Sequence, residues 1–232
     1  NNVYGTKLLI NLSIKNKVKK FILISSDKAV RPTNIMGVTK RFSEIISQIY
    51  FKKQKLTKTN ISIVRFGNVL GSSGSVLPLF IKQLKEGTQL TVTHPEVTRY
   101  FMTIEDAVGL VLQSTLMSKG GEIFVLNMGE PVKIDSIAKK LVTLFYGNDV
   151  KNISSKIKYI GLRPGEKMHE ELFFDTNIQK TEHNDISMTN NYLTIEEINE
   201  SENILKKINR KNLNDLDKDL INKLNKVVKA LV

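Results

Sequence analysis

Residues 20–28 read Lys-Phe-Ile-Leu-Ile-Ser-Ser-Asp-Lys, and residues 36–40 read Met-Gly-Val-Thr-Lys. The run at 20–25 is short, continuous and apolar, the pattern of a strand buried on both faces. A turn-like stretch with Pro32 and Asn34 follows it. Residues 36–50 then return to helical periodicity through Phe42, Ile45, Ile46 and Ile49. Ser26, Asp27 and Lys28 therefore fall just beyond the carboxyl end of the predicted strand, where open α/β sheets bind ligands. Met36 and Lys40 are four apart on the predicted helix and share a face. A hydroxyl, a carboxylate and two amines are brought toward one crevice. A carboxylate and an ammonium side by side can hold acid and base forms at the same pH. The same residues also fit a bland reading, with Ser-Asp as a turn or cap and Lys40 on a solvated face.

Working outward, residues 3–14 show helical spacing through Val3, Leu8, Leu9 and Leu12. Residues 61–66, Ile-Ser-Ile-Val-Arg-Phe, predict the next strand, and 71–75 a Gly/Ser loop. A helix is predicted over 76–86, stopped by Gly87 as a C′ glycine. A short strand follows at 89–93. Thr103 and Asp106 have capping-box spacing before an apolar helix to about Met117. A strand at 122–127, a helix at 135–146 closed by Gly147, a small strand at 157–160 and a loop at 163–166 come next. From about residue 180 the chain turns polar. Amphipathic stretches near 195–209 and 215–231 read as packing or lid helices, or as an oligomer contact. The alternation argues for α/β with a parallel sheet. The Gly-rich dinucleotide fingerprint is missing: Gly71-Ser-Ser-Gly74 is neither Gly-x-Gly-x-x-Gly nor a P-loop.

The 232 residues, 41% hydrophobic, suffice for one ordinary core. The absence of Cys excludes a disulfide scaffold, a cysteine nucleophile and thiolate metal sites. His94, His169 and His183 lack ligand spacing, so no metal is expected. No run approaches the ~18 apolar residues of a membrane span, and no signal-peptide pattern opens the chain. Asn1 enters directly into a helical pattern, which reads as a piece of a longer protein. Net charge is +12, and residues 1–100 hold 17 Lys/Arg against 4 Asp/Glu. With no aromatic-interleaved basic cluster, nucleic-acid binding rests on charge alone. The basic half is either a solvated surface or an attractor for a polyanionic small molecule such as a nucleotide diphosphate.

Six ordered blocks carry a resemblance. They are Asn2-Val-Tyr-Gly-Thr6; Ile24-Ser-Ser-Asp-Lys-Ala-Val-Arg-Pro-Thr-Asn-Ile-Met-Gly-Val-Thr-Lys-Arg41; and Val64-Arg-Phe-Gly-Asn-Val-Leu-Gly-Ser-Ser-Gly-Ser-Val76. The others are Thr91-Val-Thr-His-Pro-Glu-Val-Thr-Arg-Tyr-Phe-Met-Thr103, Glu122-Ile-Phe-Val-Leu-Asn-Met-Gly-Glu-Pro-Val132 and Gly161-Leu-Arg-Pro-Gly-Glu-Lys167. Over residues 1 to about 175 the chain resembles extended short-chain dehydrogenase/reductases. More narrowly, it resembles the CapD-type polysaccharide biosynthesis proteins, the UDP-N-acetylglucosamine 4,6-dehydratases. One departure is Met36, where the superfamily's Tyr-x-x-x-Lys carries Tyr. A thioether cannot usefully exchange a proton. The same substitution occurs in the family's longer, membrane-anchored members, so it points to that branch. It leaves open which group takes the C4 hydroxyl proton.

The resemblance implies the C-terminal part of an NAD-binding Rossmann fold, its first strands missing, with a smaller α/β substrate region. The implied division is 1–70 for the Rossmann part, 71–180 for substrate binding interleaved with the last Rossmann elements, and 181–232 for a helical extension. The implied reaction is 4,6-dehydration of a UDP-N-acetylhexosamine through transient hydride transfer to NAD. Lys28 would be the base at C5, Asp27 the acid at the C6 hydroxyl, and Ser26 a partner of the C4 oxygen. Met36 would fill the Tyr slot and Lys40 hold the nicotinamide ribose. Ser25, Phe66 and Gly67 would join Lys40 at the cofactor. Asn68, Ser75, Val76, Arg99, Arg163 and Glu166 would bind substrate. A homo-oligomer is expected, and a cytoplasmic catalytic domain whose only membrane link is a missing N-terminal region. The alternatives are a dehydratase that inverts C5, a 4-epimerase, and an inactive fragment that does not retain NAD.

Overall fold

A computed structural model describes residues 1–53, 59–72, 74–147, 153–174, 178–189, 193, 198–199 and 201–203. The elements in chain order begin α1 (Asn2–Lys15), β1 (Lys20–Ile24), a 3-10 turn (Asp27–Ala29), α2 (Ile35–Lys53) and β2 (Asn60–Arg65). Next come β3 (Asn68–Val69), α3 (Val76–Lys85), β4 (Leu90–Val92), β5 (Thr98–Arg99), β6 (Phe101–Met102) and α4 (Ile104–Met117). The rest are β7 (Ile123–Leu126), β8 (Val132–Lys133), α5 (Ile134–Tyr146), a second 3-10 turn (Ile153–Lys156), β9 (Ile157–Tyr159), β10 (Ile178–Lys180) and β11 (Ile186–Thr189).

The chain divides into two compact units. The first comprises Asn1–Phe66, Gly109–Asn127 and Glu171–Val232. Its sheet has the order β1-β2-β7-β11-β10. β1, β2 and β7 run parallel, in register Lys20↔Asn60 and Ile63↔Ile123. The parallel order is possible because a helix, α2, carries the chain from β1 back to the start of β2. β2 and β7 are the buried centre, through Ile61, Ile63, Val64, Ile123 and Val125. α1 and α2 pack on each other through Val3, Ile10, Phe42, Ile45 and Ile49. The second unit comprises Gly67–Val108 and Met128–Glu170. There α3 and α5 close over the parallel pair β4–β9 through Phe80, Leu84, Leu90, Ala138, Val142 and Ile157. Small pairs β3–β6 and β5–β8 hold its loops.

Helix ends follow the expected chemistry. Gly87 takes φ +68 one residue past the C-cap of α3, a conformation that glycine adopts without a Cβ penalty. Asp106 N–H donates to Thr103 Oγ1 at 3.1 Å, and Thr103 Oγ1 donates to Asp106 Oδ2 at 2.7 Å.

Two expectations need correction. β1 is not buried on both faces: it is an outer strand of the described sheet, Phe21, Ile22 and Leu23 are half-buried, and Ile24 is exposed. A 181–232 extension that is helical throughout fails at its start, because β11 pairs antiparallel with β7 and extends the sheet. β10 then pairs antiparallel with β11. The helical stretches at 195–209 and 215–231 fall outside the described residues, apart from helical turns at 198–199 and 201–203.

Candidate active site

In the first unit the backbone past β1 keeps bonding to β2. Ser25 N–H donates to Val64 O at 2.8 Å and Asp27 N–H to Phe66 O at 3.2 Å. Ser26 is extended and starts the 3-10 turn, its hydroxyl accepting from Lys28 N–H at 3.2 Å and donating to Asp27 Oδ1 at 2.8 Å. Asp27 is fully buried. Its Oδ1 also accepts from Lys28 Nζ at 3.0 Å. Its Oδ2 is buried and has no hydrogen-bond partner among the described residues. An unmatched carboxylate oxygen in a buried site is costly.

α2 begins directly against this turn. A Cβ added at Gly37 would lie 2.3 Å from Lys28 O and 3.0 Å from Pro32 Cβ. Only glycine admits that approach. Lys40, one turn further along, is half-buried and donates from Nζ to Ile24 O at 3.1 Å. Burial lowers its pKa, and the Glu44 carboxylate partly opposes that. Met36 is 44% exposed, so its thioether is not consumed by the core.

Beneath the turn lies a charge cluster that spacing did not reveal. Glu44 on α2 is fully buried. It accepts from Arg65 Nε and Nη2, both at 2.7 Å, from Arg41 Nη1 at 3.0 Å and from Ser25 Oγ at 2.6 Å. The Arg41 and Arg65 guanidinium carbons lie 4.6 and 4.8 Å from the Phe174 ring centroid. Arg31 pairs with Glu171 and donates to Phe174 O. The available signal was one charged residue inside each of two apolar runs, Glu44 before Ile45 and Arg65 after Val64.

Burial alone would push the Glu44 carboxyl up. The Arg65 and Arg41 guanidiniums and the Ser25 hydroxyl outweigh it and hold the pKa at about 2. A depressed folded pKa contributes stability above the unfolded value, which is lost as pH falls through the folded one. About 3 kcal/mol should therefore disappear between roughly pH 4.5 and pH 2. Urea midpoints taken from pH 6 to pH 2 read this directly. In Arg65→Met the folded pKa rises toward the unfolded one, so the loss should be smaller and complete at higher pH; an unchanged amplitude would contradict the assignment.

The second unit holds the remaining candidates. Gly67 N–H donates to Met128 Sδ at 3.5 Å. Asn68 donates from Nδ2 to Tyr100 O at 3.1 Å. Ser75 is the N-cap of α3, and its buried Oγ has no hydrogen-bond partner among the described residues. Val76 is the first residue of that helix. Arg99 donates to Glu166 Oε1 at 2.8 Å, and also to Thr98 O and Met168 O. Thr93 Oγ1 donates to Glu166 Oε1 at 3.0 Å, and Arg163 N–H to Oε2 at 3.2 Å. Glu166 thus closes its own turn and neutralises Arg99, while the Arg163 side chain stays exposed. Arg99, Glu166 and the Arg163 backbone are brought together; Asn68 and Ser75 sit on β3 and at the start of α3. Among the described residues no group of three His, Asp or Glu side chains could hold a metal ion. No helix among them is long and apolar enough to cross a membrane.

Comparison with known proteins agrees with this layout. The chain is 51% identical over 172 residues to the capsular polysaccharide biosynthesis protein CapD of Staphylococcus aureus, covering 74% of this chain and 28% of CapD. It is 37% identical over 181 residues to a UDP-glucose 4-epimerase of Rickettsia canadensis, covering 78% of this chain and 51% of that one. The chain thus spans only a quarter to a half of these relatives. Among solved structures it resembles Pen from Bacillus thuringiensis, with TM-score 0.73 and 35% identity over 81% of this chain and 58% of Pen. It also shares the fold of dTDP-glucose 4,6-dehydratase from Bacillus anthracis, solved with NAD, at TM-score 0.63 and 17% identity, covering 74% of this chain and 58% of that one. The family description "Polysaccharide biosynthesis protein" matches residues 1–191. Because that match takes in every described strand of both units, the chain belongs to the polysaccharide biosynthesis protein family.

Proposed function

We propose that this chain supplies the catalytic turn and the nucleotide-binding loops of an NAD-dependent 4,6-dehydratase acting on a UDP-N-acetylhexosamine. The observation that carries the reading is the Asp27–Lys28 pair, a buried carboxylate with an ammonium on Oδ1 and an unengaged Oδ2. That pair offers an acid and a base at a strand end, which elimination across two adjacent carbons requires. Epimerisation at C4 alone has no use for the second of these groups.

The residues at the end of β1 fit the nicotinamide-ribose end of NAD. Among the described residues the Ile24 carbonyl takes one Lys40 ammonium proton, and an ammonium has three to give. Ser25, Phe66 and Gly67 complete that end through their backbones. The Gly-rich pyrophosphate turn belongs, in this reading, to polypeptide outside these 232 residues. NAD, held there, would supply reversible hydride transfer between C4 and C6. Ser26 steadies the C4 oxygen, and Met36 occupies space without proton chemistry. As C4 is oxidised its hydroxyl proton passes through Ser26 Oγ to the Asp27 carboxylate. Once C4 is a ketone its neighbour C5 is acidic, and Lys28, as the free amine, takes that proton. Asp27 passes the proton it received to the C6 hydroxyl, which leaves as water. A proton then returns to C5, and the net change is loss of one water. Asn68, Ser75 and Val76 approach the diphosphate at the start of α3, whose free N–H groups favour an anion. Arg99 and Arg163 pair with phosphate oxygens, and Glu166 meets the ribose after sharing Arg99. The protein acts as a cytoplasmic homo-oligomer, with any membrane anchor outside these residues.

The second reading is a 4-epimerase, favoured by the Rickettsia relative. NMR of the product formed from UDP-N-acetylglucosamine by the full-length protein in deuterated water separates the two. A 4-keto-6-deoxy sugar with deuterium at C5 is expected, and its C5 configuration reports any inversion. A UDP-sugar that keeps its C6 hydroxyl would defeat the dehydratase reading.

A further inference from the structure

We propose that Glu44 is the positioning residue for the Ser26-Asp27-Lys28 turn, holding the end of β1 against α2 through the Ser25 hydroxyl. The functional meaning of this role rests on the assignment of Asp27 and Lys28 above; the geometry does not. Glu44 is on α2, one helical turn after Lys40, and Ser25 directly precedes the turn. The 2.6 Å bond from Ser25 Oγ to Glu44 Oε1 is therefore a side-chain tie between the helix of Lys40 and the strand end of Asp27. The carboxylate is itself immobilised from the other side. Arg65 on β2 grips both its oxygens, and Arg41 grips one. Both guanidiniums face Phe174, whose carbonyl accepts from Arg31. Ser25 has thus been bonded to a group with no rotational freedom left. The second pin is the van der Waals seat of Gly37 under Lys28 O. Between the two pins the turn has one orientation relative to α2, and the Asp27 carboxylate is aimed by it. Catalytic geometry is sensitive to displacements of this kind, and groups supporting a reacting side chain act through its orientation.

Glu44→Gln removes the carboxylate that the fully buried Arg65 grips with two bonds and is expected to unfold, so the decisive variant is Ser25→Ala. It removes the tie and leaves the charge cluster whole. Amide hydrogen exchange is followed by mass spectrometry on the 232-residue chain without ligand. Exchange in the peptide covering residues 26–30 is expected to speed roughly tenfold or more, while β7 exchanges as in wild type. The reporters are the Lys28, Ala29 and Val30 N–H groups, bonded to Ser26 Oγ, Ser26 O and Asp27 O. In the full-length protein the same variant should lower kcat about tenfold with KM for the UDP-sugar unchanged. Unaltered exchange at 26–30, or equal acceleration across β7, overturns the positioning role. So does a rise in KM with kcat intact. Should the full-length protein prove inactive toward UDP-sugars, the exchange result still decides the role of Glu44, and only the dehydratase reading falls.

Discussion

Asp27→Asn should lower kcat of the full-length protein by about a thousandfold, within the range for loss of a general acid, with KM little changed. The amide fills the same volume and still accepts from Ser26 and Lys28 at the oxygen on the Oδ1 side. It cannot release a proton at neutral pH. Loss of water from C6 should stop, while removal of the C5 proton by Lys28 continues. The recovered UDP-sugar should therefore gain deuterium at C5 in deuterated water and keep its C6 hydroxyl. Lys28→Met should abolish both events, since without the base no C5 carbanion forms. If instead Lys28→Met still exchanges C5 and Asp27→Asn does not, the two roles are reversed. If Asp27→Asn dehydrates at the wild-type rate, the pair is structural and the buried Oδ2 has another purpose.

The elements around this pair differed in how readable they were. β2 was legible because a central parallel strand is apolar on both faces, and Ile61, Ile63 and Val64 sit together in the run. β1 had the same signature, yet among the described residues it has a neighbour on one side, and a run of residues cannot say how many neighbours a strand will have. β10 and β11 were hidden for the opposite reason. Ile186-Ser-Met-Thr alternates apolar and polar residues, and Ile178-Gln-Lys is exposed throughout, so neither forms a continuous apolar run. In composition they look like the tail around them. Ser26, Asp27 and Lys28 could be placed because position past a strand end is a property of the local chain. Glu44 could not, because its partners Arg65 and Ser25 arrive from two other elements, and only the i,i+3 neighbour Arg41 is visible on its helix. Glu166 was legible as a site residue but not in its bonding, since Arg99 and Thr93 reach it from about 70 positions away.

Glu44→Gln is expected to cost more stability than Arg65→Met, although each breaks the same ion pair. Among the described residues the cluster holds one carboxylate and two guanidiniums. Removing Arg65 leaves a neutral Glu44–Arg41 pair at 3.0 Å, and the Ser25 bond survives. What is lost is two charge-assisted hydrogen bonds and one face of the Phe174 contact, together of order 3 kcal/mol. Removing the Glu44 charge leaves two guanidiniums, 0% and 3% exposed, repelling each other over one ring. Breaking a buried pair typically costs 3–5 kcal/mol because a charge is left uncompensated, and Arg65 loses both of its bonds to the carboxylate, so about 5 kcal/mol is expected. Against a total of roughly 5–15 kcal/mol for a domain, that is enough to unfold the first unit. The double variant Glu44→Gln/Arg65→Met removes the buried Arg65 charge together with the carboxylate that compensates it. It should therefore be more stable than Glu44→Gln alone, a sign reversal that no pairwise sum of contacts would give. The folded fractions of Glu44→Gln and of the double variant, read by circular dichroism, with the urea midpoint of Arg65→Met, decide it. A double variant weaker than Glu44→Gln would mean that Arg65 contributes by packing against Phe174 rather than by charge.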